Sequence, residues 1–256
     1  MTDIVLKNKP LVEAIFELRW NLENREGTEV DPQYKLLVGR IFDRISGDYP
    51  DHVSLPAATM PDEFVAYVVQ HQFRSHDTVW PLVQLGPGVI TLNETQTYVW
   101  SDFRERIEKL LKALIESYPD ADKGLRFNRI LLRYIDAVDF DYEREDVFAF
   151  LLSHLKAGVD LHEGLFEGTG VPKSPIVINM GFSFPSTKPK GAASLRFFKG
   201  ERDNEPALLW ETHIQTSGDD VPAGWESILT WLDEAHKLTH EWFFKMIDGP
   251  LLEKFK

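Results

Sequence analysis

Phe127-Asn-Arg-Ile-Leu-Leu-Arg-Tyr-Ile-Asp-Ala-Val-Asp-Phe140, at the middle of a 256-residue chain, decides the fold. The run holds no Gly or Pro and is rich in β-branched and aromatic residues, so it predicts a long strand buried on both faces. Alternation along a strand sends Ile130, Leu132, Tyr134, Asp136 and Val138 to one face and Arg129, Leu131, Arg133 and Ile135 to the other. The first face is mostly apolar; the second mixes apolar and cationic groups. Arg129 and Arg133 cannot be bare in a core, because burying an unpaired charge costs several kcal/mol. They are predicted to face carboxylates, a ligand or water.

Working outward toward the start of the chain, Leu11–Trp20 alternates Val12, Ala14, Phe16, Leu18 and Trp20 with Glu13, Ile15, Glu17 and Arg19, a half-buried strand. Asp31-Pro32 predicts a helix start, with the aspartate as cap, continuing through Leu37, Ile41 and Ile45 to near Gly47. Pro50, Pro56 and Pro61 mark a connector. Segments 64–73, 80–85 and 89–92 read as strands, the last two joined by Gly86-Pro87-Gly88. Ser101 or Asp102 is the predicted cap of a helix that buries Phe103, Ile107, Leu110, Leu111 and Leu114 and stops before Pro119.

Toward the other end, a helix is predicted over 146–156, closed by Gly158, and a glycine-bearing loop over 160–174. Strands follow at 176–184, 194–198 and 207–216, then a long helix from about Pro222 to Ile247. Each half therefore reads β-α-β-β-β-α. The expectation is an α+β fold built by internal duplication, with repeats over 1–122 and 123–256 and antiparallel sheet packed by helices on one face. This element order resembles the duplicated fold of the TATA-binding protein. That saddle needs a cationic, apolar underside to enter a minor groove, whereas the corresponding strands here carry Glu13, Glu17 and Glu211.

Composition narrows the function. With 43% apolar and 12% aromatic residues the chain can bury a sizeable core, and with no cysteine it has no disulfide, thiolate metal site or cysteine nucleophile. The net charge of −13 is spread, with 12 basic and 19 acidic side chains in residues 1–120 against 16 and 22 in the rest. Such a field disfavours nucleic-acid binding. No basic, apolar leader or membrane-length apolar run is visible, so a soluble cytoplasmic protein is expected.

Lys9-Pro-Leu-Val-Glu-Ala-Ile-Phe-Glu17, Gln84-Leu-Gly-Pro-Gly88, Tyr98-x-Trp100-x-x-Phe103, Arg129-Ile-Leu-Leu-Arg-Tyr-Ile135 and Trp231-Leu-x-x-Ala-His236 occur in that order. Together they resemble a sporadically distributed bacterial family of about this length that has no assigned activity. Family members tend to have Gly and Asn in the central strand where this chain has Leu131 and Asp136. The patchy distribution implies an accessory trait such as defence or toxin control, and the resemblance brings no catalytic residues.

Chemical constellations are few. His236-Lys-Leu-Thr-His240 has zinc-like spacing but lacks the H-E-x-x-H glutamate, so a helix flank with one packed histidine is the simpler reading and no metal is assigned. Gly86-Pro-Gly88 lacks the phosphate-binding frame, and no G-x-S-x-G elbow is present. Trp225, Trp231 and Trp242 read as core or interface anchors. Glu211 and His213 share the polar face of one strand and can meet either Glu13, Glu17 and Arg19 or Arg129 and Arg133 across a sheet. They serve either as cross-strand salt links or as an acid–base pair.

The candidate ligand-binding set is therefore Glu13, Glu17, Arg129, Arg133, Glu211 and His213, with no cofactor. The expected function is a non-enzymatic binding or regulatory module that takes a small molecule or protein where the repeats meet, with homodimerisation an open alternative. A hydrolase using His213 and Glu211 with the Arg129/Arg133 pair, and an acidic decoy of a nucleic-acid-binding partner, are the competing readings.

Overall fold

The structure, a computed structural model, describes residues 6–76, 79–95, 97–119 and 121–256. In chain order its elements begin with β1 (Leu11–Trp20), the short hairpin β2 (Glu23–Arg25) and β3 (Thr28–Val30), α1 (Tyr34–Ile45) and β4 (Asp51–Ser54). Then come β5 (His71–His76), β6 (Val79–Gly86), β7 (Val89–Glu94), α2 (Trp100–Ser117) and the short α3 (Ala121–Gly124). The second half holds β8 (Phe127–Asp139), α4 (Val147–Leu155), β9 (Asn179–Thr187), β10 (Lys190–Arg202), β11 (Glu205–Ser217), α5 (Trp225–Ile247) and α6 (Pro250–Phe255).

Nine of these strands form one antiparallel sheet in the order β4-β5-β6-β7-β1-β8-β11-β10-β9. The fold is thus α+β around a single large antiparallel sheet, and β8 lies in its interior between β1 and β11. Even-numbered positions of β8, and of β1 from Ala14 onward, form the apolar face. At the register shift between Leu11 and Glu13 the parity slips, so Leu11 joins the core on this face while Val12, expected beside Ala14, packs with Ile135 and Ala137 on the other side. Ala14, Phe16, Leu18 and Trp20 pack beside Ile130, Leu132 and Tyr134, and α1, α2 and α5 share one core cluster with them. Phe16, Leu18 and Trp20 are completely enclosed, and each large apolar side chain so buried contributes about 1.5–3 kcal/mol. A second cluster joins α4 and α6 to Val138, Phe197, Leu208 and Trp210 on the same face. The helices therefore cover one side and leave the other open.

Several local expectations fail. Of the strand expected over 64–73 only its end pairs, in β5; Asp62–Phe64 is a 3-10 turn and Phe64 is exposed. Asp31 does not cap α1. Its carboxylate accepts from Trp20 Nε1 at 2.9 Å, from Tyr118 OH at 3.3 Å and from Gln33 N at 3.0 Å, and the helix starts at Tyr34 without a side-chain cap. Neither Ser101 nor Asp102 caps α2, which opens at Trp100 after an extended Val99. Asp146 does cap α4, accepting from Phe148 N and Ala149 N, but the helix ends at a left-handed Lys156 ahead of Gly158. Ile176 and Val177 lie outside β9 and are exposed. Strand β4 falls in the stretch read as a connector, and the hairpin β2–β3 lies between the first strand and Asp31, where no element is predicted.

Candidate functional site

The odd-numbered residues of β1 and β8, with those of β11, meet on the open face. Register aligns them in four rows: Glu13, Ile135 and Glu211; Ile15, Arg133 and His213; Glu17, Leu131 and Gln215; Arg19, Arg129 and Ser217. All six residues singled out from the sequence therefore lie on one face of three adjacent strands. Because β8 separates β1 from β11, His213 meets Arg133 directly and does not sit beside Glu13 or Glu17. Thr91 and Asn93 of β7 extend the face on one side, and Ser194 and Arg196 of β10 on the other.

The contacts resolve into three groups. Around Glu17, Arg19 Nε donates at 2.8 Å and Arg129 Nη1 stands at 3.6 Å, while Arg129 Nη2 donates to Gln215 Oε1 at 2.5 Å. Around Glu211, His213 Nδ1 lies 2.8 Å and Arg133 Nε 3.4 Å from the same carboxylate oxygen. With Glu211 ionised, the proton in that short contact sits on His213 Nδ1. Glu13 accepts from Asn93 Nδ2 at 2.8 Å, and Thr91 Oγ1 donates to Asn93 at 2.6 Å.

Burial and charge set the electrostatics. Enclosure raises Glu13 above the usual carboxylate range, partly offset by the Asn93 hydrogen bond and the Arg133 charge. Enclosure pushes Glu211 the same way, but the His213 hydrogen bond together with the Arg133 charge outweighs it and holds the carboxyl below its ordinary value. Arg129 is lowered by desolvation, with Glu17 opposing. The Nε atoms of both Arg129 and Arg133 are enclosed and have no hydrogen-bond acceptor among the described residues. An unmade hydrogen bond of this kind costs about 1–3 kcal/mol.

A second polar cluster lies on the helix-covered face. Tyr98 OH and Tyr134 OH are 2.8 Å apart, and Tyr134 OH is 3.0 Å from His236 Nδ1. Trp100 stacks on His236 with ring centroids 3.7 Å apart. Burial pushes His236 down to about 3 and Asp136, beside Tyr134, up to about 8. Trp210, opposite Asp136 in the β8–β11 register, keeps an enclosed Nε1 with no acceptor among the described residues. His236 is thus a half-buried residue packed between Trp100 and Tyr134. The sequence signal for this cluster was present in Asp136, whose parity places a carboxyl on the apolar face of β8.

Among the described residues no group of three or more His, Asp or Glu side chains is arranged to hold a metal, and no helix is long and apolar enough to cross a membrane. No protein-family model matches the chain, and no curated protein matches it significantly.

Proposed function

We propose that the chain is a binding module whose ligand carries a carboxylate or phosphate group and lies on the open sheet face, over Arg133, Arg129 and the Glu211–His213 pair. The terminal amino groups of Arg133 carry this reading: the side chain is about one-third exposed, its Nε forms an ion pair with Glu211, and its Nη atoms make no hydrogen bond among the described residues. The Glu211 oxygen facing Arg133 already accepts the short His213 contact, so the Arg133 fork keeps donors for an outside acceptor. A carboxylate or phosphate engaged bidentately would satisfy them. Asn93, Thr91, Gln215 and Ser194 supply neutral groups around the charged centre that can fix a ligand's orientation.

The same reading makes residues 1–122 and 123–256 two copies of one β-α-β-β-β-α unit in the order of the TATA-binding protein. In its support, β1 and β8, the first strand of each half, lie side by side. From them β7, β6 and β5 run outward on one side and β11, β10 and β9 on the other. The ligand then sits where the copies join. Minor-groove binding does not carry over, since Glu13, Glu17 and Glu211 interrupt the face. Membership of the sporadic bacterial family and a cytoplasmic site of action belong to the same proposal. It is supported by the family-like segments falling on β1, the β6–β7 turn, the approach to α2, β8 and α5.

A hydrolase remains the second reading, because Arg133 and His213 converge on Glu211. The decoy reading gains no support from a face on which guanidinium groups alternate with carboxylates.

A thermal-shift panel of mono- and polyanionic metabolites tests the binding reading. A ligand at 100 times its Kd stabilises by about 2.7 kcal/mol, and Arg133→Met together with Arg129→Met is expected to remove that shift. A panel without any shift, or a shift the double variant keeps, overturns the site. Turnover of an ester or phosphoester panel that His213→Ala abolishes would favour the hydrolase.

A further inference from the structure

At the β9 end of the sheet the apolar face outruns the helices that cover it. There a cleft of ≈ 410 Å³ opens between the end of α4, the residues just after it, the last turns of α5, and β9 with β10. Its walls include Leu155, Met180, Phe182, Phe184, Leu195 and Trp242. Register puts Phe182 opposite Leu195 and Phe184 opposite the buried Ala193, so both rings belong to the helix-covered face. Yet they are 48% and 49% exposed. Toward the other end of the sheet, Phe73 of β5 is fully buried and stacks on Phe42 of α1 with centroids 5.8 Å apart. One flank of the sheet is thus closed by its own helix, while the other keeps an open aromatic wall.

We propose that this cleft binds an amphiphile with a single alkyl chain and an anionic head, namely a fatty-acid carboxylate. The lining residues offer almost no polar side chain, with Thr212 the one hydroxyl. A peptide laid there would leave N–H and C=O groups unpaired, whereas an alkyl chain has none to satisfy. The volume lies in the range of small-molecule sites. Charge selects the head: the charged residues lining the cleft are Lys156 and Lys245, both cationic in a chain of net charge −13. Lys245 is shared with Glu241 at 2.5 Å. Lys156 Nζ donates to Ser153 O at 3.3 Å and has no carboxylate within ion-pair distance among the described residues.

Calorimetric titration of the full chain with octanoate, decanoate and dodecanoate below their micelle concentrations tests this. One-to-one binding is expected, tightening about 4-fold for each methylene, as ~0.8 kcal/mol per buried CH2 requires. Dodecanol and dodecyltrimethylammonium should bind at least about tenfold more weakly than dodecanoate, the loss of one charged contact being worth about 1.4 kcal/mol. Lys156→Glu with Lys245→Glu should weaken dodecanoate but spare dodecanol. Phe182→Asp with Phe184→Asp, substitutions at half-exposed positions, should abolish binding while the melting profile confirms folding. The proposal falls if binding is absent, if chain length has no effect, if dodecanol equals dodecanoate, or if the folded Phe182/Phe184 variant still binds. It also falls if sedimentation finds a dimer that this variant dissociates, since a second copy then fills the cleft. Arg129 and Arg133 lie on the opposite face, so failure here leaves the anion site untouched.

Discussion

Replacing Asp136 with Asn should remove a pH dependence of stability that the fold builds in. Its side chain is enclosed on the helix-covered face beside Tyr134 and opposite Trp210, and burial raises the carboxyl from 3.8 to about 8. Between those values the native chain keeps a proton that the unfolded chain has released. Asp136 therefore contributes stability that is full below about pH 4 and is lost as the pH rises to about 8. His236 has the opposite sign. Held down from 6.5 to about 3, it contributes stability that is full above pH 6.5 and is lost as the pH falls toward 3. The two slopes oppose each other from about pH 4 to 6.5, and above that Asp136 acts without its counterweight. Tyr98 and Tyr134, both pushed upward by burial, stay neutral there. Over roughly 1.5 pH units, at about 1.36 kcal/mol per unit, the wild-type chain should lose about 2 kcal/mol relative to Asp136→Asn. Urea unfolding of both proteins at pH 6.5 and 8 measures this as a widening gap in unfolding free energy. A gap of equal size at both values would refute the buried, protonated carboxyl.

Other perturbations probe the frame. A Cβ on Gly86 would lie 2.1 Å from Val68 O and 2.7 Å from Val68 C. Gly86→Ala should therefore cost about 3 kcal/mol or more, read by thermal unfolding. Asp146→Ala deletes the carboxylate that accepts two backbone N–H groups at the start of α4 and should cost about 1 kcal/mol. Amide exchange of Phe148 and Ala149 should rise with it. Trp231→Phe keeps a buried ring but loses the 2.7 Å donation to Thr216 Oγ1, a cost of about 1–3 kcal/mol by chemical denaturation.

The centre of the sheet was legible in the sequence because long alternating runs leave little choice. β1 and β8 each present one parity that is almost wholly apolar, and their neighbours had only to complete it. The six candidate residues were found by the same parity. Strand order was not readable, so whether His213 met Glu17 or Arg133 stayed open until β8 fell between β1 and β11. Short elements escaped for physical reasons. β4 carries Asp51, His52, Val53 and Ser54, an edge segment without alternation, and it is held by pairing with β5. Asp31 looked like a helix cap, yet Trp20 and Tyr118, distant in sequence, claim its carboxylate. The stretch after Phe64 has the apolar content of a strand, but Gln70 N donates to Leu85 O and Tyr67 N to Pro87 O, so it is tied down beside the β6–β7 turn. The apolar cleft depends on what α4 and α5 leave uncovered, which no local pattern records.

The pairing of β1 with β8 has a consequence for dissection of the chain. The two halves meet through a backbone ladder running from Leu11 with Asp136 to Trp20 with Phe127. A fragment ending at 122 or starting at 123 would expose a bare strand of ten or thirteen residues along that seam. Co-expressed, the two fragments carry matching edges and should reassemble, which makes this seam the natural place to divide the protein into a complementing pair for reporting proximity in cells.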